Sequence, residues 1–321
     1  MKKISKAELK KAILAVEAER LKHPATFRPD RAQRALLQKG RKASEKMVSA
    51  FLRKAGLDMK QFRALQQQRS VELERMVAKH KAEALRRAAQ QKDTLYSSIA
   101  AQSAALRDVA SRKDFFTFTL DTPFLIWSIP LIDISDSAAV PLGSFAKFKL
   151  STSQFGTQSP DPTSPVQKVG FYFYWINPFQ DSAVIKAATF MSATGHLKAH
   201  APWSLFGNSS WVQATALFNL WFGWPSAGAT SSSYASEILG FTGAADDLFG
   251  GGSTTGRSIS SGVSLNTTMF AVPPGNVVVF EVALGLDYGN DSGDIEADFE
   301  SGDFKIACPV VVFSLLNSPL M

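Results

Sequence analysis

A sharp change in sequence pattern at residue 114 is the feature that most restricts how this chain can fold. Residues 1–113 contain 28 Lys and Arg and 11 Asp and Glu, whereas residues 114–321 contain 7 and 17. All six tryptophans lie after the change, and so does most of the aromatic surface from which a core can be built. The sequence therefore predicts two parts, a basic segment over 1–113 and an acidic domain over 114–321.

The basic segment has the apolar spacing and the end signals of helices. Ser5 and Glu8 have the spacing of a capping box, and Pro24 ends the apolar pattern that follows. No proline or glycine occurs from Met59 through Lys113, which permits one long helix there. We expect helices at about 6–22, 31–55 and 59–112. Their thin apolar stripes predict packing as a helical hairpin or as a coiled coil between copies.

The acidic domain has the pattern of a β-protein. Aromatic residues and threonine alternate at its start, as in a half-buried strand, and turn-rich stretches such as Ser159–Pro165 and Gly250–Gly256 separate later apolar runs. About nine such runs predict an antiparallel β-sandwich, of which a jelly roll is the common eight-stranded form. The predicted strands are Phe115–Leu120, Phe124–Leu131, Phe145–Leu150, Val169–Ile176, Ala183–Phe190, Trp211–Trp221, Thr268–Val272, Val277–Leu284 and Ile306–Leu315.

No motif in the chain indicates catalysis. There is neither a Gly-x-Ser-x-Gly elbow nor a phosphate-binding Walker loop, and only four histidines are present. The single cysteine, Cys308, lies in an apolar strand-like run and excludes an intrachain disulfide, which favours a reducing compartment. We therefore expect a non-enzymatic protein with no cofactor.

The sequence also bears on localisation. It has no apolar run of signal-peptide length at its start and none long enough for a transmembrane span. We therefore expect a protein without a transmembrane segment that is cytoplasmic or released as an assembly.

Two groups of side chains are candidates for metal binding. His196 and His200 have the four-residue spacing that places two imidazoles on one helix face, but their surroundings predict strand or loop, so ordinary polar histidines are expected. Asp287, Asp291 and Asp294 belong to a run of seven carboxylates in seventeen residues and are candidate calcium ligands. A solvated strand face explains that run equally well.

Two further groups are candidates for ligand binding. Trp203, Trp221 and Trp224 would stack sugars or bases if exposed, although tryptophans of a sandwich are commonly core residues. The candidate polyanion contacts in the basic segment are Arg86, Arg87 and Lys92.

A basic N-terminal segment followed by a predicted jelly roll resembles the layout of coat proteins of small icosahedral RNA viruses. The resemblance covers the architecture of the whole chain and no motif. The arms of those proteins are typically short and disordered, whereas this segment is predicted to be helical. The resemblance implies a capsid-like protein that self-assembles and packages nucleic acid through residues 1–113.

Three functions are compatible with these features. The first is a structural or interaction protein that forms a homo-oligomer or binds a protein partner through its sandwich, with the helical segment used for oligomerisation or docking. The second is a nucleic-acid-packaging coat protein, and the third is a glycan-binding, lectin-like module. The sequence favours the first.

Overall fold

A computed structural model describes residues 5–22, 31–56, 58–111, 116–128, 132–152, 167–203, 208–224, 230–246 and 252–316. The side chains of 19–22, 31–38, 91–111, 223–224 and 230–234, and of a few single residues within the helices and strands, are outside that description. The helices occupy Lys6–Lys22 (α1), Arg31–Lys54 (α2) and Met59–Ser111 (α3), within one residue of the predicted bounds. The division into two domains that fold independently stays a prediction.

The helix ends are fixed by the local signals in the sequence. At the start of α1, the Ser5 amide donates to Glu8 Oε2 (2.8 Å) and the Glu8 amide donates to Ser5 Oγ (3.2 Å), which is a capping box. Asp58 Oδ1 accepts the amide of Lys60 (2.8 Å) at the start of α3. Gly56, with φ of 82°, provides the left-handed turn between α2 and α3. These contacts involve residues two or three apart, so the sequence alone specifies them.

Thirteen strands lie in the described residues and form two antiparallel sheets. Their bounds are Phe116–Leu120 (β1), Leu125–Ser128 (β2), Asp133–Ala138 (β3), Phe145–Thr152 (β4), Gln167–Ile176 (β5), Ala183–Ala201 (β6), Ser209–Trp224 (β7), Thr230–Ala245 (β8), Ser253–Asn266 (β9), Phe270–Val272 (β10), Val277–Asn290 (β11), Asp294–Asp298 (β12) and Lys305–Leu315 (β13).

The two sheets pack face to face as a sandwich. One has five strands in the order β2-β5-β11-β7-β8, and the other has eight in the order β1-β13-β4-β12-β6-β10, with β3 paired to β4 and β9 to β6. Alternate residues of each strand enter the shared core, for example Leu197 of β6 and Phe280 of β11. The predicted antiparallel β-sandwich is confirmed, and the jelly roll stays a prediction.

Several strands were not predicted, and one predicted turn is wrong. The stretch Gly250–Gly256 was expected to be a turn, but β9 begins within it at Ser253. The strands β8 and β9 are rich in Ser, Thr and Gly, and in β9 only Ile259, Val263 and Leu265 reach the core. This weak apolar alternation is why the sequence pattern did not identify them.

The helices cover the outer faces of the two sheets. Leu9 and Ile13 of α1 are buried against Tyr172, Trp221 and Val279, which lie on the outer face of the five-stranded sheet. Helix α3 crosses the outer face of the eight-stranded sheet and contacts β6 and β9. The predicted coiled coil is not shown. The apolar residues of α1 pack on the five-stranded sheet instead. None of the described helices has the length and apolarity needed to span a membrane.

Candidate functional site

The outer face of the five-stranded sheet is covered by α1 at one end and carries an open surface towards the other. Residues paired directly across antiparallel strands point to the same face, so the register of β11, β7 and β8 gives rows of neighbours on this face. The rows beyond α1 are Gly289–Trp211–Gly243, Asp287–Gln213–Phe241 and Gly285–Thr215–Ile238.

An aromatic pair dominates these rows. The rings of Trp211 and Phe241 are stacked with centroids 6.1 Å apart and planes 24° apart. Phe241 is 52% exposed, although it is a large apolar side chain. Gly289 makes the arrangement possible, since a Cβ atom there would collide with the Trp211 indole. We call Trp211 and Phe241 the aromatic platform.

Polar groups lie directly beside the platform. Gln213 occupies the row between Asp287 and Phe241, and its amide donates to Thr215 Oγ1 at 3.3 Å. Asp287 and Gln213 are buried. The amide and the carboxylate therefore lie in the same row as Phe241, with positions that are fixed by packing.

Beneath α1, the same sheet face holds a buried ion cluster. Lys168 Nζ lies 2.5 Å from Glu17 Oε1 of α1 and also contacts Glu281 Oε1 of β11. All three side chains are at most 2% exposed. Glu281 also accepts hydrogen bonds from Trp221 Nε1 (2.7 Å) and the Tyr172 hydroxyl (3.1 Å). Burial alone would raise the pKa of Glu281, but Lys168 and the hydrogen bonds from Trp221 and Asn219 lower it, so the carboxylate is charged. We call this group the α1 clamp.

Helix α3 is held by a similar cluster on the opposite sheet. Lys81 Nζ of α3 lies 2.7 Å from Glu296 Oε1 and 2.5 Å from Asp298 Oδ2. Burial acts to raise the pKa of Asp298, but hydrogen bonds from Lys81 and from Ser301 outweigh it and lower the pKa to about 2. The cluster, which we call the α3 clamp, therefore stays ionised at neutral pH.

His196 lies beside the α3 clamp and is fully buried. Among the described residues, neither ring nitrogen has a hydrogen-bond partner. Burial, with a further contribution from the charge of Lys81, lowers its pKa to about 4. His196 and His200 both lie on β6, and His200 Nδ1 is 2.8 Å from Thr254 Oγ1. The described part of the chain contains no group of three His, Cys, Asp or Glu side chains that could hold a metal ion.

The predicted calcium ligands are not brought together. Asp287 lies on β11 in the five-stranded sheet, whereas Asp294 begins β12 in the eight-stranded sheet, 4.0 Å from Lys198. Asp291 lies in the turn between β11 and β12, and it accepts hydrogen bonds from the amide (3.0 Å) and the hydroxyl (2.7 Å) of Ser209. The calcium site at these residues stays a prediction.

The predicted tryptophan patch is also not assembled as expected. Trp203 packs edge-on against Phe62 of α3 at 5.6 Å, whereas Trp221 is 1% exposed beneath α1. Trp224 pairs with Val277 at the end of β7, and its side chain is outside the described residues. Trp203 contacts α3 just beyond the end of β6, whereas Trp221 lies on β7 beneath α1, so the two do not form one binding surface.

The remaining predicted residues lie on α3 and β13. Arg86 and Arg87 are exposed on α3, and the side chain of Lys92 falls outside the described residues. Their role in polyanion binding stays a prediction. Cys308 is buried in β13, and burial raises the pKa of its thiol to about 12, so it is uncharged and inaccessible.

Comparison with known proteins assigns the chain to no family. No family model and no curated protein matches it. Tailspike protein 4 of bacteriophage CBA120 is similar over 64% of this chain and 20% of its own, with 9% identity and a TM-score of 0.23. The family 22 module and catalytic module of Clostridium thermocellum xylanase 10B match at 9% identity and a TM-score of 0.25, over 64% of this chain and 29% of theirs. The mannan-binding module TmCBM27 matches at 11% identity and a TM-score of 0.21, over 64% and 90%. These scores carry no functional assignment.

The buried imidazole of His196 predicts a specific loss of stability in acid. The unfolded chain binds a proton on this histidine below about pH 6.5, whereas the folded chain binds it only near pH 4. His196 therefore does not reduce the free energy of unfolding above about pH 6.5, and it reduces that free energy progressively as the pH falls towards 4. Urea unfolding across this range should show the free energy of unfolding decreasing, and His196→Leu should remove much of that decrease.

His200→Gln is the matched control, because it removes a histidine from the same strand without altering the buried imidazole. It should retain the pH dependence of the wild-type protein. An unchanged pH dependence in His196→Leu would contradict the assignment.

Proposed function

We propose that this protein is a non-enzymatic glycan-binding module that stacks sugar rings on the aromatic platform of Trp211 and Phe241. The observation that carries the proposal is a stacked aromatic pair, of which Phe241 is 52% exposed, beside fixed polar groups on the part of the sheet face that α1 leaves open. Exposed apolar surface with a polar rim is typical of a ligand-binding surface.

The chemistry of the platform fits a sugar. A pyranose ring has an apolar C–H face and a polar edge of hydroxyls, so it needs a flat apolar surface and hydrogen-bonding groups beside it. Trp211 and Phe241 provide the surface, and Gln213, which pairs directly with Phe241, is the nearest side chain that can bind a hydroxyl. Buried polar groups lose little conformational freedom on binding, which favours a specific complex.

The same rows support binding without hydrolysis. Glycosidases commonly use a pair of carboxylates that flank the scissile bond. In the three rows that surround the platform, Asp287 is the single carboxylate. We infer that the site recognises a glycan and leaves its bonds intact.

Substitution of the platform tests this function. A glycan array identifies a binding sugar, and calorimetry then compares wild type with Trp211→Ala and Phe241→Ala. Each substitution should weaken binding at least about fivefold, because loss of an aromatic contact removes on the order of 1–3 kcal/mol. Met269→Ala, which removes another exposed apolar side chain, is the control and should bind like wild type. Absence of any array signal, or equal losses in all three variants, would contradict the proposal.

A second function, self-association through the helices, is favoured by a different observation. Large apolar side chains are exposed on α2 and α3, namely Met47 (71%), Phe51 (70%), Leu65 (64%) and Met76 (51%). Burying such side chains between copies would stabilise a homo-oligomer. Light scattering should show an oligomer that Phe51→Asp weakens, whereas Lys46→Asp, which changes a neighbouring exposed residue, should leave the mass unchanged. A monomer at every concentration would contradict this function.

A further inference from the structure

Both rings of the aromatic platform lie low on the sheet, in the layer that Cβ atoms occupy. A Cβ atom on Gly289 of β11 would lie 2.7 Å from Cε2 and 3.0 Å from Cδ1 of the Trp211 indole. A Cβ atom on Gly243 of β8 would lie 3.4 Å from Cε1 and Cζ of Phe241, which is as near as it would lie to the Cβ atom of Trp211 (3.5 Å). Each ring therefore uses the space that a glycine leaves on this face.

The two rings consequently lie side by side. Since both occupy the same layer, neither ring rests on top of the other. Their centroids are 6.1 Å apart and their planes differ by 24°, so they form a nearly flat surface two rings long. The indole reaches Gly289 and the Phe241 ring reaches Gly243, and these glycines flank Trp211 in one row across three strands. The long axis of the platform therefore runs across the strands, from β11 to β8.

The platform ends at an edge of its sheet. Strand β8 is the last strand of the five-stranded sheet, so in the part of the chain that the structure describes no further strand of this sheet lies beyond Phe241. Both Phe241 and Gly243 are exposed there. A ligand longer than the platform can thus continue past the sheet edge, which suits a chain better than a single sugar enclosed in a pocket.

We propose that the platform binds two consecutive sugars of an extended glycan chain, one on each ring, with the chain lying across the strands. This inference rests on the proposed glycan-binding function and adds the class of glycan. The separation of 6.1 Å between the ring centroids is close to the length of one pyranose unit, so neighbouring sugars of one chain match neighbouring rings. Two linked contacts strengthen each other, because the first sugar to bind holds the second in place.

The flatness of the platform also selects the linkage between the two sugars. Consecutive pyranoses lie close to one plane when both bonds of the linkage are equatorial, as in cellobiose. An axial bond, as in maltose, turns the second sugar out of that plane and away from the second ring. The platform therefore favours equatorially linked chains over chains that contain an axial bond in each linkage.

Titration of the full-length protein with glucose, cellobiose and maltose tests the inference, since these probes differ only in the number of glucose units and in their linkage. The indole ¹H–¹⁵N signal of Trp211, assigned by its absence in Trp211→Phe, follows binding. Cellobiose should bind at least about fivefold more tightly than glucose, as expected for a second stacked ring. Maltose should bind within about twofold of glucose, because its second sugar does not reach Phe241.

Substitutions at the platform test whether both rings are needed. Phe241→Ala removes one ring, and Gly289→Ala keeps both rings but displaces the indole. In each variant the advantage of cellobiose over glucose should fall to about twofold or less. Ile238→Ala is the matched control, because Ile238 is 56% exposed on the same face of β8 and the Phe241 ring leans towards Gly243, away from it. This variant should keep the advantage of the wild-type protein.

Three results would overturn the inference and leave glycan binding at the platform intact: equal affinity for glucose and cellobiose, an equal gain with maltose, or a loss of the advantage in Ile238→Ala as large as in Phe241→Ala. Binding of other glycans on the array without any response to cellobiose would have the same consequence. Absence of a response to every glycan would overturn both the inference and the proposed function.

Discussion

The charge of a lysine that is buried on a sheet face must be neutralised by carboxylates. One of the carboxylates that does so lies on α1, so the position of this helix depends on the ion pair. Lys168 is 2% exposed and lies between Glu281 of the sheet and Glu17 of the helix. Removing one partner of a buried ion pair costs on the order of 3–5 kcal/mol, because the remaining charge is left uncompensated. The Trp221 ring, 5.6 Å from Lys168 Nζ, adds a cation–π contact. Apolar burial of Leu9 and Ile13 supplies attraction, whereas the ion cluster fixes the position of α1 on the sheet.

The α1 clamp and the α3 clamp join the basic helical segment to the acidic sandwich through buried or partly buried ion pairs. In the α1 clamp the sheet provides the cation, and in the α3 clamp the helix provides it through Lys81. Much of each outer face is thereby withdrawn from solvent, and what stays open is restricted to a few surfaces. The aromatic platform is one of these surfaces, and it stays open because α1 covers the other end of its sheet.

Contacts between residues close together in the chain could be predicted from the sequence, whereas contacts between distant residues could not. The capping box of Ser5 and Glu8 was predictable because it spans three residues, and the apolar strands were predictable from their alternation. Trp211 and Trp221 show where this stops, since both lie on the same face of β7. Helix α1 covers Trp221 and leaves Trp211 partly exposed, a difference set by Lys168 and Glu281, which are more than a hundred residues apart. The sequence alone therefore did not show that Trp221 is covered or that Trp211 and Phe241 are stacked beyond α1.

Amide hydrogen exchange in α1 tests the central claim that this helix is locked onto the sandwich by its buried ion cluster. An isolated helix of 17 residues is only marginally stable in water, so strong protection of α1 reports docking. We expect α1 amides of the wild-type protein to exchange at least about a hundredfold more slowly than in an unstructured peptide. Lys168→Met should abolish this protection, whereas Lys10→Met, on the exposed side of α1, should preserve it. Exchange of α1 at peptide rates in the wild-type protein, or unchanged protection in Lys168→Met, would contradict the account.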